Sequence, residues 1–349
     1  MTTASVSDAE RDRERDKAPA ARVLGPVPRP LVRHGRAEPG SYEGSLGPLD
    51  FTSAASVWTR IKRLKRWVYI GLATDRFFVG LASVRLGYAA SAFAFVFDKL
   101  RGRFVMDEKL VLPVTAVEIE DTTGEGARAR FSFGKNRMSV ERARGRDAFV
   151  VSAAFRGLRL DAELDASRAP SAISAVATTE GGLFTTTEKR LLLSVKGEIE
   201  VGGERVSLDG GLAAYDYTGG FMPRHTQWKW AFALGKVEGE PFGLNLVEGF
   251  VKEAECAAWY DGKLWPLSEG DLRLVPGKPL EPWTVRTKSG EVDLEFSPAG
   301  MHEDATNLGL VRARFVQPAG LYTGSVRLGE RTLDLTDVLG VTEDQSVLW

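Results

Sequence analysis

The chain is poor in the residues that carry metal and redox chemistry. Its 349 residues include one cysteine, Cys256, and three histidines, His34, His225 and His302. A lone thiol cannot close an internal disulfide or build a cysteine-rich zinc site, and histidines this far apart offer no HExxH-type ligand spacing. No metal and no cofactor is expected. A charge excess of one sign is also lacking: 46 Lys and Arg face 47 Asp and Glu, a formal net charge of -1. That balance argues against a nucleic-acid partner, which a basic excess would serve by neutralising phosphates. Long apolar runs are missing too. The best candidate, from Val68 to Phe97, is broken by Asp75, Arg76, Arg85 and several glycines, short of the roughly 18 residues of a membrane helix. The first residues alternate acid and base where a signal peptide carries an apolar core. The expected location is cytoplasmic.

Hydrophobic residues make up 43% of the sequence, enough for a sizeable core. Residues 1–45 read as a flexible, irregular arm: a mixed-charge stretch, then Pro26, Pro28, Pro30 and Pro39 among glycines. Phe51 to Trp67 suits a short helix. Residues 58–67 within it, WTRIKRLKRW, carry five basic side chains and can make a weak contact with an anionic membrane surface.

From Trp67 onward the pattern is β. Phe93, Phe95 and Phe97 alternate, as do Leu191, Leu193, Val195, Ile199 and Val201, which should share one face of a strand. Gly202-Gly203, Asp261-Gly262 and Lys288-Ser289-Gly290 stand where hairpin turns belong. No βαβ unit and no G-x-G-x-x-G after a strand is visible, which disfavours dinucleotide and P-loop folds. The expected fold is all-β: two antiparallel, lipocalin-like barrel or sandwich modules, over residues 46–200 and 201–349, behind the arm.

The densest polar and aromatic concentration is Gly211 to Glu255. Asp216 lies between Tyr215 and Tyr217, and an apolar setting can raise a carboxyl pKa until it donates a proton near neutrality. Arg224, Thr226, Trp228 and Trp230 offer a charge partner and a flat wall. Asn245, Glu248 and Glu255 add polar groups. Each has a structural alternative: Asp216 as a turn cap or as the partner of Arg224, Trp228 and Trp230 as barrel core, Cys256 as a buried small hydrophobe. Glu248 and Glu255 have opposite strand parity, so one should face inward and the other outward.

The stretch starting KRWVYIGLATDRFFVG at Lys65, YDYTGG with PRHTQWKWAFA, GLNLVEGF, DGKLWPL and the closing GVTED together resemble the DUF2804 family, over about residues 40–349. More distantly, the Asp216-to-Trp230 pattern is similar to two-barrel lipocalin-like proteins such as carotenoid 1,2-hydratases, tocopherol cyclases and Svf1-type lipid-binding proteins. That resemblance implies an apolar ligand held in a barrel or between two barrel halves, with Asp216 at the position of an alkene-protonating aspartate. Thr218 stands where those hydratases have asparagine.

Three functions follow as expectations. One is a cofactor-free hydratase, cyclase or isomerase with Asp216 as general acid and Tyr215, Tyr217, Trp228 and Trp230 around a developing cation. Another is a non-catalytic lipid-binding protein. The third is a carbohydrate-active protein pairing Asp216 with Glu248 or Glu255.

Overall fold

The computed structural model of the protein describes residues 22–307 and 312–349. Two short helices, Phe51–Ala54 and Val57–Arg63, precede the long strands, capped by the side chains of Asp50 and Ser56. The single helix expected over residues 51–67 is thus split, and its last residues already belong to the strand Leu64–Ala73.

The first sheet has fifteen strands among the described residues. Its centre runs Ala90–Asp98, Phe77–Arg85, Leu64–Ala73, Leu212–Phe221, Leu183–Val201, Leu158–Asp165, all antiparallel neighbours. The second sheet has nine, centred on Glu240–Gly249, His225–Val237, Arg331–Leu348, Arg312–Leu328 and Val292–Asn307. Gly202 and Gly203, at φ 60 and 81, and Asp261 and Gly262, at φ 53 and 68, make the two-residue hairpin turns that their sequences suggest.

Each sheet curls around its own core. Val68, Ile70, Leu72, Tyr215 and Tyr217 fill the first, and Ala231, Ala233, Leu244, Trp283 and Phe296 fill the second. The outer faces then meet in a third apolar layer with Tyr69, Phe78, Phe95, Trp230, Phe232 and Trp259. Strand alternation explains the division, since neighbours along a strand point to opposite faces. In His225–Val237 the small residues turn into the second barrel, while Trp230, Phe232 and Leu234 turn toward the first sheet.

Three expectations shift. The change of sheet falls between Phe221 and His225, later than the boundary expected at 200/201, because Leu212–Phe221 pairs with both Leu183–Val201 and Leu64–Ala73. Local alternation carries no mark of which sheet a strand joins. Leu191 and Leu193 do not share a face: the register shifts between Arg190 and Leu193, with Leu192 at φ 64, so Leu191 enters the inter-sheet layer and Leu193 the first core. The arm expected over 1–45 is, from Arg22 onward, a docked segment. Gly40–Glu43 pairs with Ile173–Thr179, and Val27, Leu31 and Leu46 are buried in the first core. Residues 1–21 lie outside the described residues.

Gly71 marks one close approach of the sheets, where a Cβ would stand 2.9 Å from the Phe232 ring. Gly71→Val should therefore destabilise the protein by about 1–3 kcal/mol through overpacking, measured by urea unfolding. An unchanged midpoint would mean that the two sheets do not pack rigidly here.

Candidate functional site

Between the sheets a cavity opens with about 110 Å³ available to the centre of a water-sized sphere, several times what one water needs. Trp67, Tyr69, Phe93, Trp228, Trp230 and Phe315 form its aromatic wall, and Thr187, Lys189, Asp216, Glu255, Gln317 and Glu343 its polar side. Ladder register brings these groups together. Tyr69 lies opposite Asp216, and Asp216 opposite Lys189, in the first sheet. In the second, Trp230 lies opposite Glu343. The Trp67 and Trp228 rings stack at 5.9 Å across the gap, and Tyr69 meets Trp230 edge-on at 5.4 Å.

The polar side is a buried charge cluster. Lys189 Nζ donates to Asp216 Oδ2 at 2.5 Å and stands 3.5 Å from Glu255 Oε2. Thr187 Oγ1 donates to Glu255 Oε2 at 2.6 Å. Burial pushes the Asp216 carboxyl up to about 6 against the opposing pull of Lys189, with Glu255 adding repulsion. The Lys189 ammonium is held above its usual range: its two carboxylates outweigh the burial that opposes them. Asp216 Oδ1 is buried with no hydrogen-bond partner among the described residues. Glu343 accepts from Trp228 Nε1 at 2.7 Å and from Gln317 Nε2 at 2.8 Å. Burial nevertheless raises its carboxyl to about 7. Two carboxyls of one cavity thus titrate near neutrality, as general acid or base chemistry requires.

The residues singled out by sequence divide into three groups. Asp216, Trp228, Trp230 and Glu255 line the cavity. Two others act behind the wall. Asn245 accepts from Trp230 Nε1 at 2.8 Å and donates to the Glu255 carbonyl at 2.9 Å. Thr226 accepts from Nε1 of the cavity residue Trp349 at 2.9 Å. The remaining four lie outside the lining. Tyr215 and Tyr217 point into the first barrel, Tyr215 stacked on Phe149 at 4.5 Å, because they flank Asp216 on a strand and must face away from it. Arg224 is an exposed residue of the connection between the sheets, and the ion-pair partner of Asp216 is Lys189. Glu248 bonds Lys229 Nζ at 2.9 Å and the Leu272 amide at 2.7 Å, away from the cavity. Glu255 reaches the cavity from the 3₁₀ turn Lys252–Glu255, so strand parity with Glu248 does not decide its direction. Cys256 is buried, its thiol pushed up to about 12 by burial.

Sequence reasoning missed Lys189, Thr187, Tyr69, Gln317 and Glu343. A signal for two of them was present: Thr185 to Arg190 is an unbroken polar run inside a 19-residue strand, and all six residues are buried. Buried polar runs of this kind need partners. Glu343 and Gln317 lack a local signal, since only the meeting of the sheets buries them. Among the described residues no three His, Cys, Asp or Glu side chains are placed to hold a metal ion, and no helix is long and apolar enough to cross a membrane.

Comparison with known proteins extends the geometry. A family model described as a domain of unknown function, DUF2804, matches residues 32–349. Kievitone hydratase from Nectria haematococca superposes with a TM-score of 0.52 at 14% identity, covering 94% of this chain and 96% of that one. CghA, solved with Sch210972, superposes with a TM-score of 0.52 at 11% identity, covering 93% and 98%. At these identities the likeness is one of fold: both share the architecture of two curled antiparallel sheets. No curated protein sequence matches the chain.

Proposed function

We propose, for a chain that belongs to the DUF2804 family, that the inter-sheet cavity takes up an apolar small molecule and alters it by acid–base chemistry without a cofactor. The observation that carries this is the pairing, in one aromatic cavity, of two buried carboxyls pushed up to about 6 and about 7. The fold is shared with a protein named a hydratase and with one solved holding a small molecule. That supports the class of reaction without identifying the substrate.

The steps follow from the side chains. Asp216 would carry its proton on Oδ1, the oxygen that Lys189 leaves unpartnered. Delivered to one carbon of an alkene, that proton leaves a cation on the other carbon, flanked by the faces of Trp228 and Trp230. Water adding to the cation forms the alcohol and releases a proton that returns to a carboxylate. Loss of a proton from the cation instead gives an isomer. Either way the carboxyl is restored, and no redox partner enters.

One observation favours a second reading. An aspartate bound to an ammonium at 2.5 Å is stabilised in its ionised form, which suits a carrier whose polar cluster only orients a ligand. The carbohydrate reading draws less support: Glu248 is away from the cavity, and the Lys189 ammonium lies between Asp216 and Glu255, where two hydrolytic carboxyls would need a sugar or water.

Mass spectrometry of organic extracts from natively purified protein distinguishes these. An apolar compound at stoichiometric amount supports the ligand, and a different compound accumulating on Asp216→Asn supports catalysis. Turnover by the variant at the wild-type rate would remove Asp216 as acid, since loss of a general acid costs roughly 10²–10⁴ in rate. Extracts empty in both forms would sink the apolar-ligand reading.

A further inference from the structure

Among the described residues, one group of exposed large apolar side chains is clustered. Val57, Trp58 and Ile61 are exposed on the helix Val57–Arg63, Trp58 to 72%. Residues i, i+1 and i+4 share one side of a helix, so the three form a single ridge. Tyr88, 40% exposed, joins them from the turn between Phe77–Arg85 and Ala90–Asp98. Helix and turn touch: the backbone oxygen of Ile61 lies 2.4 Å from where a Cβ on Gly87 would stand.

This ridge adjoins one end of the cavity. The buried Lys65 ammonium sits 4.4 Å from the Tyr88 ring centre and 5.5 Å from that of Trp349, and Trp349 and Trp67 wall the cavity there. The local charge is basic. The helix contains no acidic residue; Arg63 pairs with Glu180 and Arg66 with Asp121, while Arg60 and Lys62 have no carboxylate partner among the described residues. An aromatic and aliphatic ridge flanked by unneutralised cations is the composition of an interfacial anchor: rings and alkyl chains enter the acyl boundary, and cations meet anionic headgroups.

We propose that Val57, Trp58, Ile61 and Tyr88, with Arg60 and Lys62, form a docking surface for an anionic lipid bilayer, through which the cavity exchanges its ligand with the membrane. Of residues 58–67 the surface draws only on Trp58, Arg60, Ile61 and Lys62, for Leu64 and Lys65 are buried, Arg63 and Arg66 are paired and Trp67 belongs to the cavity wall; Val57 and Tyr88 join from outside that stretch. Exchange of ligand rests on the function proposed above; docking stands apart from it.

Cosedimentation with vesicles of phosphatidylcholine and phosphatidylserine, beside phosphatidylcholine alone, tests the docking. Wild type should bind the anionic vesicles and lose that binding as salt rises. Trp58→Asp and Lys62→Glu should each weaken it by about tenfold or more, with thermal unfolding unchanged because both side chains are exposed. No cosedimentation of wild type, or wild-type binding by Trp58→Asp, overturns the proposal. So does a wild-type dimer that Trp58→Asp turns into a monomer without altering vesicle binding, since a second copy would then cover the ridge. In a second arm, the protein should speed transfer of a fluorescent fatty acid between vesicles. Docking without transfer overturns the exchange role and counts against the apolar-ligand reading, while the docking surface stands.

Discussion

Replacing Lys189 by methionine should cost about 3–5 kcal/mol of stability at pH 7, the loss expected when one partner of a buried ion pair is removed. Methionine keeps most of the apolar stem, so the loss is chiefly electrostatic: Asp216 and Glu255 would face each other with no cation between them. Two further outcomes separate this from simple misfit. The penalty should shrink as pH falls and Asp216, raised to about 6 by burial, takes up a proton. Adding Asp216→Asn to Lys189→Met should recover part of it, because one of the two uncompensated charges is gone. Urea unfolding of the wild type, the two single variants and the double variant measures all of this. A Lys189→Met protein as stable as wild type would show that the cluster is hydrated and open.

The second large effect concerns Glu343, whose carboxyl is raised from 4.5 to about 7, first by burial and against hydrogen bonds from Trp228 and Gln317. A carboxyl raised on folding favours the folded state while it is protonated. Its contribution is therefore complete below its unfolded value and is lost as pH rises through about 7. The span corresponds to a stability loss on the order of 3 kcal/mol between about pH 4.5 and about pH 7. Glu343→Gln removes the titration and should flatten the pH–stability curve over that window, with Gln317 turning its amide to meet the new one. Asp216 titrates in an overlapping range, so Asp216→Asn should remove a smaller, lower-lying part of the same slope. Equal slopes in wild type and Glu343→Gln would mean that Glu343 is ionised throughout. If the cavity is catalytic through an acid, kcat/KM should fall over the same range as pH rises.

The site was legible in the sequence only along the strands that carry it. Asp216 stands out because a single acid interrupts an aromatic run, and Trp228 and Trp230 because period-two bulk is visible in a string of letters. Tyr215 and Tyr217 sit beside Asp216 in sequence, but a strand sends neighbours to opposite faces, which places both in the first barrel core and out of the cavity. Lys189 is 27 residues from Asp216, and Glu343 is 115 from Trp228. Contacts at such separation come from strand order and register, which no local pattern encodes.

Composition and periodicity by themselves determined the all-β class, the hairpin turns at Gly202-Gly203 and Asp261-Gly262, and the apolar face holding Trp228, Trp230, Phe232 and Leu234. These depend on backbone preferences and on alternation within a strand, both local properties. Tertiary structure alone decided that this face lies between two sheets instead of inside one barrel, that Leu212–Phe221 completes the first sheet, and that the bulge at Leu192 separates Leu191 from Leu193. It also decided which carboxyls become acids near neutrality. A carboxyl pKa depends on the solvent and charges around it, and here those are supplied by strands brought from opposite ends of the chain.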